Sequence, residues 1–244
     1  LKKCESEYNK AKNKLFLDYH NFSPSWATIM WKNFHKDKVN KSIKFKEIIF
    51  NNIITRMELF DFSDTILSSS DQVLQVDEIK DVIEGEIFIK NDLLDNNRLM
   101  PGDVYKNGGK YYLNLRPACD LVPRSGKKSG NLDEVLVYLL KGRHLTKKEI
   151  SDFYITTYGH FKESDNCSIV FPIDNGKAIC FQFKNIIVDE SKKYSKRIGR
   201  ILPPHINRIR QKYSLYLQRE AISRIPEEII PELSTAETGI EECE

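Results

Sequence analysis

Two short glycine-containing segments, Asn107-Gly108-Gly109 and Asp174-Asn175-Gly176-Lys177, restrict the fold of this 244-residue chain more than any other feature. Each lies between runs rich in apolar and β-favouring residues. Asn and Gly accept the positive φ angles of tight turns, so residues 103–106 with 110–116, and 168–173 with 178–183, are expected to pair as antiparallel hairpins. Short apolar runs at 86–90 and 135–140 read as buried strands, and 185–188 as a further strand after the second hairpin.

Helical signals flank these strands. Residues 2–19 carry mixed charge and end in the apolar patch Leu15, Phe16, Leu17 and Tyr19. Ser23-Pro24-Ser25 reads as a turn into a second helix that places Trp26, Ile29, Met30 and Phe34 towards a core. In residues 43–60, Phe45, Ile49, Ile53, Met57 and Phe60 recur at near-helical intervals. Residues 68–71 offer N-caps for a helix expected to stop at Gly85. Thr146-Lys147-Lys148-Glu149 is a capping box for a helix inserted among the strands, carrying Ile150, Phe153 and Tyr154.

The expected class is therefore α+β: a helical N-terminal part (1–85), a small antiparallel β-barrel-like module with an inserted helix (86–190), and a C-terminal basic amphipathic helix in an arm (191–226). An acidic tail (227–244), expected to be disordered, follows. No strand leads into a glycine-rich phosphate loop, so nucleotide binding by that route is unsupported and no cofactor is expected.

Five cysteines, odd in number and never arranged as C-x-x-C, argue against a disulfide framework and for a reducing compartment. With neither a long apolar run nor a signal-peptide pattern, the expected location is cytoplasmic, without membrane contact. The first residue is Leu1 rather than methionine, and the chain is expected to be a fragment preceded by an upstream domain.

Charge is segregated along the C-terminal third. Between Lys192 and Arg224 ten Lys or Arg face one acid, Glu220, whereas residues 227–244 hold seven Glu and no base. After Pro203-Pro204, the residues Ile206, Ile209, Tyr213, Tyr216 and Leu217 fall on one helical face and Arg208, Lys212 and Arg219 on another. Together with Lys196, Arg197 and Arg200, these cations are the candidate surface for nucleic acid or a protein partner. A solvated outer face paired with the acidic tail is the structural alternative.

A second candidate is the loop after the first hairpin, where Arg116, Cys119, Asp120 and Arg124 cluster in LRPACDLVPR, with His144, or His160 of Tyr158-Gly159-His160, as a base that the fold could bring to them. The alternative is a packed cysteine and an Asp that caps the turn. The five histidines are isolated and no Cys/His pair has ligand spacing, so no metal is expected; Asp174, beside Gln182 and Lys184, reads as a turn former rather than a metal ligand.

The segments PGDVYKNGGKYYLNLRPACDLVPR and RIGRILPPHINRIRQKYSLYLQREAISRIP resemble the C-terminal region of bacterial proteins that carry an N-terminal response-regulator receiver domain. The resemblance covers most of the chain after about Glu86. It implies the output half of a signalling or defence protein and carries no catalytic residues over. The Gly102-Asp103 strand start followed by a hairpin also resembles the SH3-like barrels of toxin ribonucleases related to MazF and PemK. That likeness implies an RNA-cleaving effector as the alternative, without placing the basic and hydroxyl residues of that chemistry. The leading expectation is a regulatory or effector module acting through its basic arm.

Overall fold

The computed structural model describes residues 2–36, 41–58, 74–95, 98–121, 135–193 and 196–220. Three helices, α1 (Lys2–Phe22), α2 (Trp26–Lys36) and α3 (Lys41–Arg56), form the N-terminal part. Ala11 and Leu15 of α1 bury against Ile53 of α3, with Tyr19, Ile49 and Met57 around them. The four-residue spacing within each helix keeps these side chains on one face. The Trp26 ring stacks between Tyr19, at 5.1 Å, and Phe45, at 5.9 Å. Ile29 is 49% exposed rather than facing this core. At 3.6 residues per turn it lies about 60° to one side of Trp26, while buried Phe34 lies about 80° to the other. Phe60, the cap candidates at 68–71 and Arg124 fall outside the described residues.

Helix α4 (Val76–Ile87) starts where the Gln75 N–H donates to the Glu78 carboxylate at 3.1 Å. It runs through Gly85 instead of stopping there. Gly85 lacks the positive φ of a helix-ending glycine, and the buried pair Ile87-Phe88 carries the chain directly into the sheet.

Seven strands make one antiparallel sheet, in the spatial order β1 (Phe88–Lys90), β9 (Arg197–Ile201), β2 (Asp103–Asn107), β3 (Lys110–Asn114), β4 (Leu136–His144), β8 (Lys177–Glu190) and β7 (Cys167–Ile173). It curls into a half-barrel, so the chain is α+β with a helical N-terminal part, as the hairpin and helix signals indicate. Both hairpins form. Asn107 pairs with Lys110 around two glycines of positive φ, and Ile173 pairs with Lys177 around Asp174, Asn175 and Gly176, all of positive φ. Helix α5 (Lys147–Phe153), capped by Thr146, leads into a small ladder of β5 (Tyr154–Ile155) and β6 (His160–Phe161).

Two strands differ from the sequence reading. Residues 185–188 are no separate strand: β8 is continuous for 14 residues, and its ladder with β4 shifts register between Leu140 and Gly142. Residues 197–201, assigned to the basic arm, are instead an interior strand of the sheet, β9, between β1 and β2. Its two arginines hide it from a charge-based reading, because their carboxylate partner lies almost a hundred residues upstream.

The main core joins Val104, Leu113, Leu140, Phe181 and Ile201 to Ile206 and Ile209 of the last helix, α6 (His205–Gln218). Phe183 meets Tyr213 and Tyr216 edge to face at 5.8 and 5.6 Å. Leu217, expected on this face, is 63% exposed, because the apolar contact ends at Tyr216. Among the described residues, no helix is long and apolar enough to cross a membrane.

Candidate functional site

The Gly102-Asp103 pair opens β2 where the backbone turns sharply. Gly102 has φ +93°, and a side chain there would collide with the Ile201 carbonyl. Asp103 is fully buried and accepts from the Met100 N–H at 2.8 Å and from Arg200 Nε at 2.6 Å, with Arg197 Nη1 at 3.6 Å. Burial pushes the Asp103 carboxyl up, and Arg200 and Arg197 pull it back. Arg197 also donates to Asn91 Oδ1 at 2.7 Å and to the carbonyls of Arg98 at 2.8 Å and Asp95 at 2.9 Å. Arg200 reaches the Arg98 carbonyl at 3.0 Å. These two candidate cations are thus turned inward, fastening β9 to β2 and to the preceding loop.

Helix α6 makes a second clamp. Arg208 donates to both oxygens of Glu163 at 3.0 Å, and Lys212 Nζ lies 2.7 Å from Oε2. Glu163 also accepts from Ser168 Oγ at 2.9 Å and the Ile169 N–H at 2.6 Å. Burial works against its charge, yet Lys212, the Ile169 N–H and Arg208 hold the carboxyl below its ordinary value. Arg219 lies over the Tyr216 ring at 3.9 Å and bonds to Asn166, and Lys196 is exposed. Of the six cations selected from sequence, four therefore answer buried carboxylates.

A groove of about 700 Å³ opens beside the Glu163 clamp, between α4, β7 and the first turn and a half of α6. Ile79 and Ile83 on one wall, Val170 and Phe171 on another and Ile209 on the third give it an apolar lining. His160, His205, Arg208 and Lys80 supply its polar rim. The His160 Nδ1 lies 3.3 Å from the Tyr158 carbonyl.

The loop candidates do not join His160. Arg116 donates to the Leu136 carbonyl at 2.7 Å and lies 5.1 Å from the Tyr138 ring. Cys119 is exposed, Asp120 closes a short turn at Ala118–Asp120, and none of the three lines the groove. Arg116 lies just after β3 and bonds to the first residue of β4, whereas His160 belongs to the separate β5–β6 ladder and shares the groove with Phe171 of β7. The Asp174 carboxylate is committed to structure, accepting from Lys106 at 2.8 Å, Tyr111 Oη at 2.6 Å and Lys177 at 2.9 Å. Although burial opposes it, these donors bring its pKa down to about 2. Among the described residues no group of three metal-ligating side chains converges.

Sequence reasoning missed the groove, although its parts carried signals. Val76, Ile79 and Ile83 form an i, i+3, i+7 apolar row, and His205 follows the double proline. What brings them together is the packing of α4 and α6 on the same end of the half-barrel, a long-range event. A comparison with protein-family models and with curated proteins finds no match for the chain.

Proposed function

We propose that the chain is the output or effector module of a bacterial signalling or defence protein, and that it engages a protein partner through the groove at the head of the basic helix. The groove carries this reading. Its walls come from three elements far apart in sequence, and it is predominantly apolar with a few polar groups at its edge. Ile79 and Ile83 stay 46% and 40% exposed on it. A surface of this kind suits an amphipathic segment laid in by its apolar face.

The charge pattern favours protein over nucleic acid. A phosphate contact needs a cation with donors to spare, and Arg197, Arg200, Arg208 and Lys212 already serve carboxylates. The resemblance to receiver-domain proteins supports the signalling context, with an upstream input domain.

The test is a photo-cross-linking residue at position 83, compared with one at position 217, followed by titration of the purified partner. Cross-links from 83 alone, and binding weakened at least about tenfold by Ile83→Asp, are expected. Salt-sensitive RNA or DNA binding that survives Ile83→Asp and vanishes in Lys196→Glu/Arg219→Glu would overturn it.

A nucleic-acid-cleaving effector is the second reading. It is favoured by one observation: His160 and His205 line the same groove, two imidazoles able to act as general base and general acid on a phosphodiester. Cleavage of a fluorogenic RNA, lost in both His160→Ala and His205→Ala, would select it.

A further inference from the structure

On the far side of Glu163 lies a second cavity, of about 570 Å³, with a different chemistry. In the β7–β8 ladder Cys167 stands opposite Gln182, and Ile169 opposite Cys180. Side chains alternate along a strand, so all four share one face, and the two cysteines are diagonal neighbours. Both line the cavity, and half-buried Cys167 packs against the cluster that contains buried Cys180.

We propose that Cys167 and Cys180 are an oxidisable dithiol: Cys167 is attacked by a small hydroperoxide entering this cavity, and Cys180 resolves the product as a disulfide between β7 and β8. In the first step the Cys167 thiolate attacks the terminal oxygen of the hydroperoxide, forming an S–O bond as the O–O bond breaks and alkoxide, or hydroxide from hydrogen peroxide, leaves and takes a proton from water; sulfur is oxidised to the sulfenic acid and the peroxide is reduced to the alcohol or to water. In the second, the Cys180 thiol attacks the Cys167 sulfur, the S–S bond forms, and the sulfenic oxygen leaves as water with the Cys180 proton.

The surroundings suit this division of labour. The Ser164 Oγ lies 3.3 Å from the Cys167 sulfur. Arg143 from β4, Lys184 from β8, Lys162 from the β6–β7 connection and Arg219 just beyond α6 line the same cavity. Lys212 of α6 donates to the Cys167 carbonyl at 3.2 Å. Glu163 is the opposing anion, and it is engaged by Arg208 and Lys212. Interaction with the neighbouring Cys180 thiol, aided by Ser164, holds Cys167 below the ordinary thiol pKa against burial and Glu163. Cys167 is half-buried and bonded to Ser164 whereas Cys180 is buried, and its interaction with Cys167 together with burial pushes Cys180 up, so the nucleophile is Cys167. Diagonal positions lie about 7–8 Å apart, so closing the bridge draws the strands together slightly, next to the register shift that follows Val170.

The experiment uses the full chain with Cys4, Cys119 and Cys243 changed to Ser, exposed to hydrogen peroxide. The parent should lose the mass of two hydrogens, with a Cys167–Cys180 cross-linked peptide and little dimedone adduct. Cys180→Ser and Cys180→Ala, each checked for a native melting transition, should accumulate the Cys167–dimedone adduct roughly tenfold over the parent. Cys167→Ser should give neither product. A Cys167 adduct equally abundant with and without Cys180, or a Cys167 alkylated by iodoacetamide no faster at neutral pH than Cys119 in the native chain, would overturn the proposal.

Discussion

Arg208 and Glu163 form a two-pronged ion pair, each guanidinium nitrogen 3.0 Å from its own carboxylate oxygen, which fastens α6 to the start of β7. Lys212, one helical turn on, adds a third donor to the same carboxylate. The side chain of Glu163 is almost wholly enclosed while that of Arg208 is half in water. The carboxylate is therefore the member whose loss matters: removing it strands two cations and two donors from β7.

Glu163→Gln is expected to lower stability by about 1–3 kcal/mol, the upper end being discounted because Arg208 is partly solvated. Urea unfolding midpoints check this. The Glu163 carboxyl is held below its ordinary value, so its contribution is complete above the unfolded-state pKa and is lost as pH falls through the folded one. The gap between wild type and variant should be full at neutral pH and close below about pH 4.

Asp174→Asn tests the tip of the second hairpin. With its pKa at about 2, held by Lys106, Tyr111 and Lys177, the carboxylate stabilises the fold fully above about pH 4 and progressively less towards pH 2. The shift is worth roughly 2 kcal/mol at neutral pH. The variant should lose about that much at pH 7 and unfold with a shallower acid limb, measured by circular dichroism.

Gly199→Ala should destabilise the fold and lower its melting temperature. A side-chain carbon at this interior position of β9 would run into the Phe88 ring and the Ile89 carbonyl, and the backbone carbonyl cannot swing away without breaking the β1–β9 ladder. The expected cost is at least about 1–3 kcal/mol, the range for overpacking. Thermal melting decides it.

Ile83→Asp, by contrast, should leave the fold intact. Its side chain contributes to the half-open wall of the groove rather than to the core, so a loss of only about 1–2 kcal/mol is expected. A cooperative melting transition lowered by only a few degrees, combined with loss of partner cross-linking, would separate a binding surface from a packing one.

Local chemistry made much of this legible. Gly108-Gly109 and Asp174 to Gly176 announced two hairpins because few other residues tolerate their φ angles, and the Thr146–Glu149 capping box marked α5 because its donors and acceptors lie within one turn. The apolar spacing of α3, and the inward face of α6 as far as Tyr216, followed from helical periodicity, whereas in the apolar patch of α1 Leu15 is buried and Phe16 and Leu17 are exposed. Charge misled where its partner was distant. Arg197 and Arg200 read as surface cations until Asp103, buried across the β2–β9 ladder, neutralised them and turned their segment into a strand. His160 was grouped with Arg116, Cys119 and Asp120 by chemistry alone; sheet topology separates them and sets His160 on the groove that His205 also lines. The sequence by itself determined where the chain turns and which faces are apolar, since those depend on a few adjacent residues. Which cations are used up, and which side chains share a cavity, was decided only when β9 entered the sheet and α4 and α6 packed on its end, because such pairings join residues tens of positions apart whose attraction exists only after the fold has brought them together.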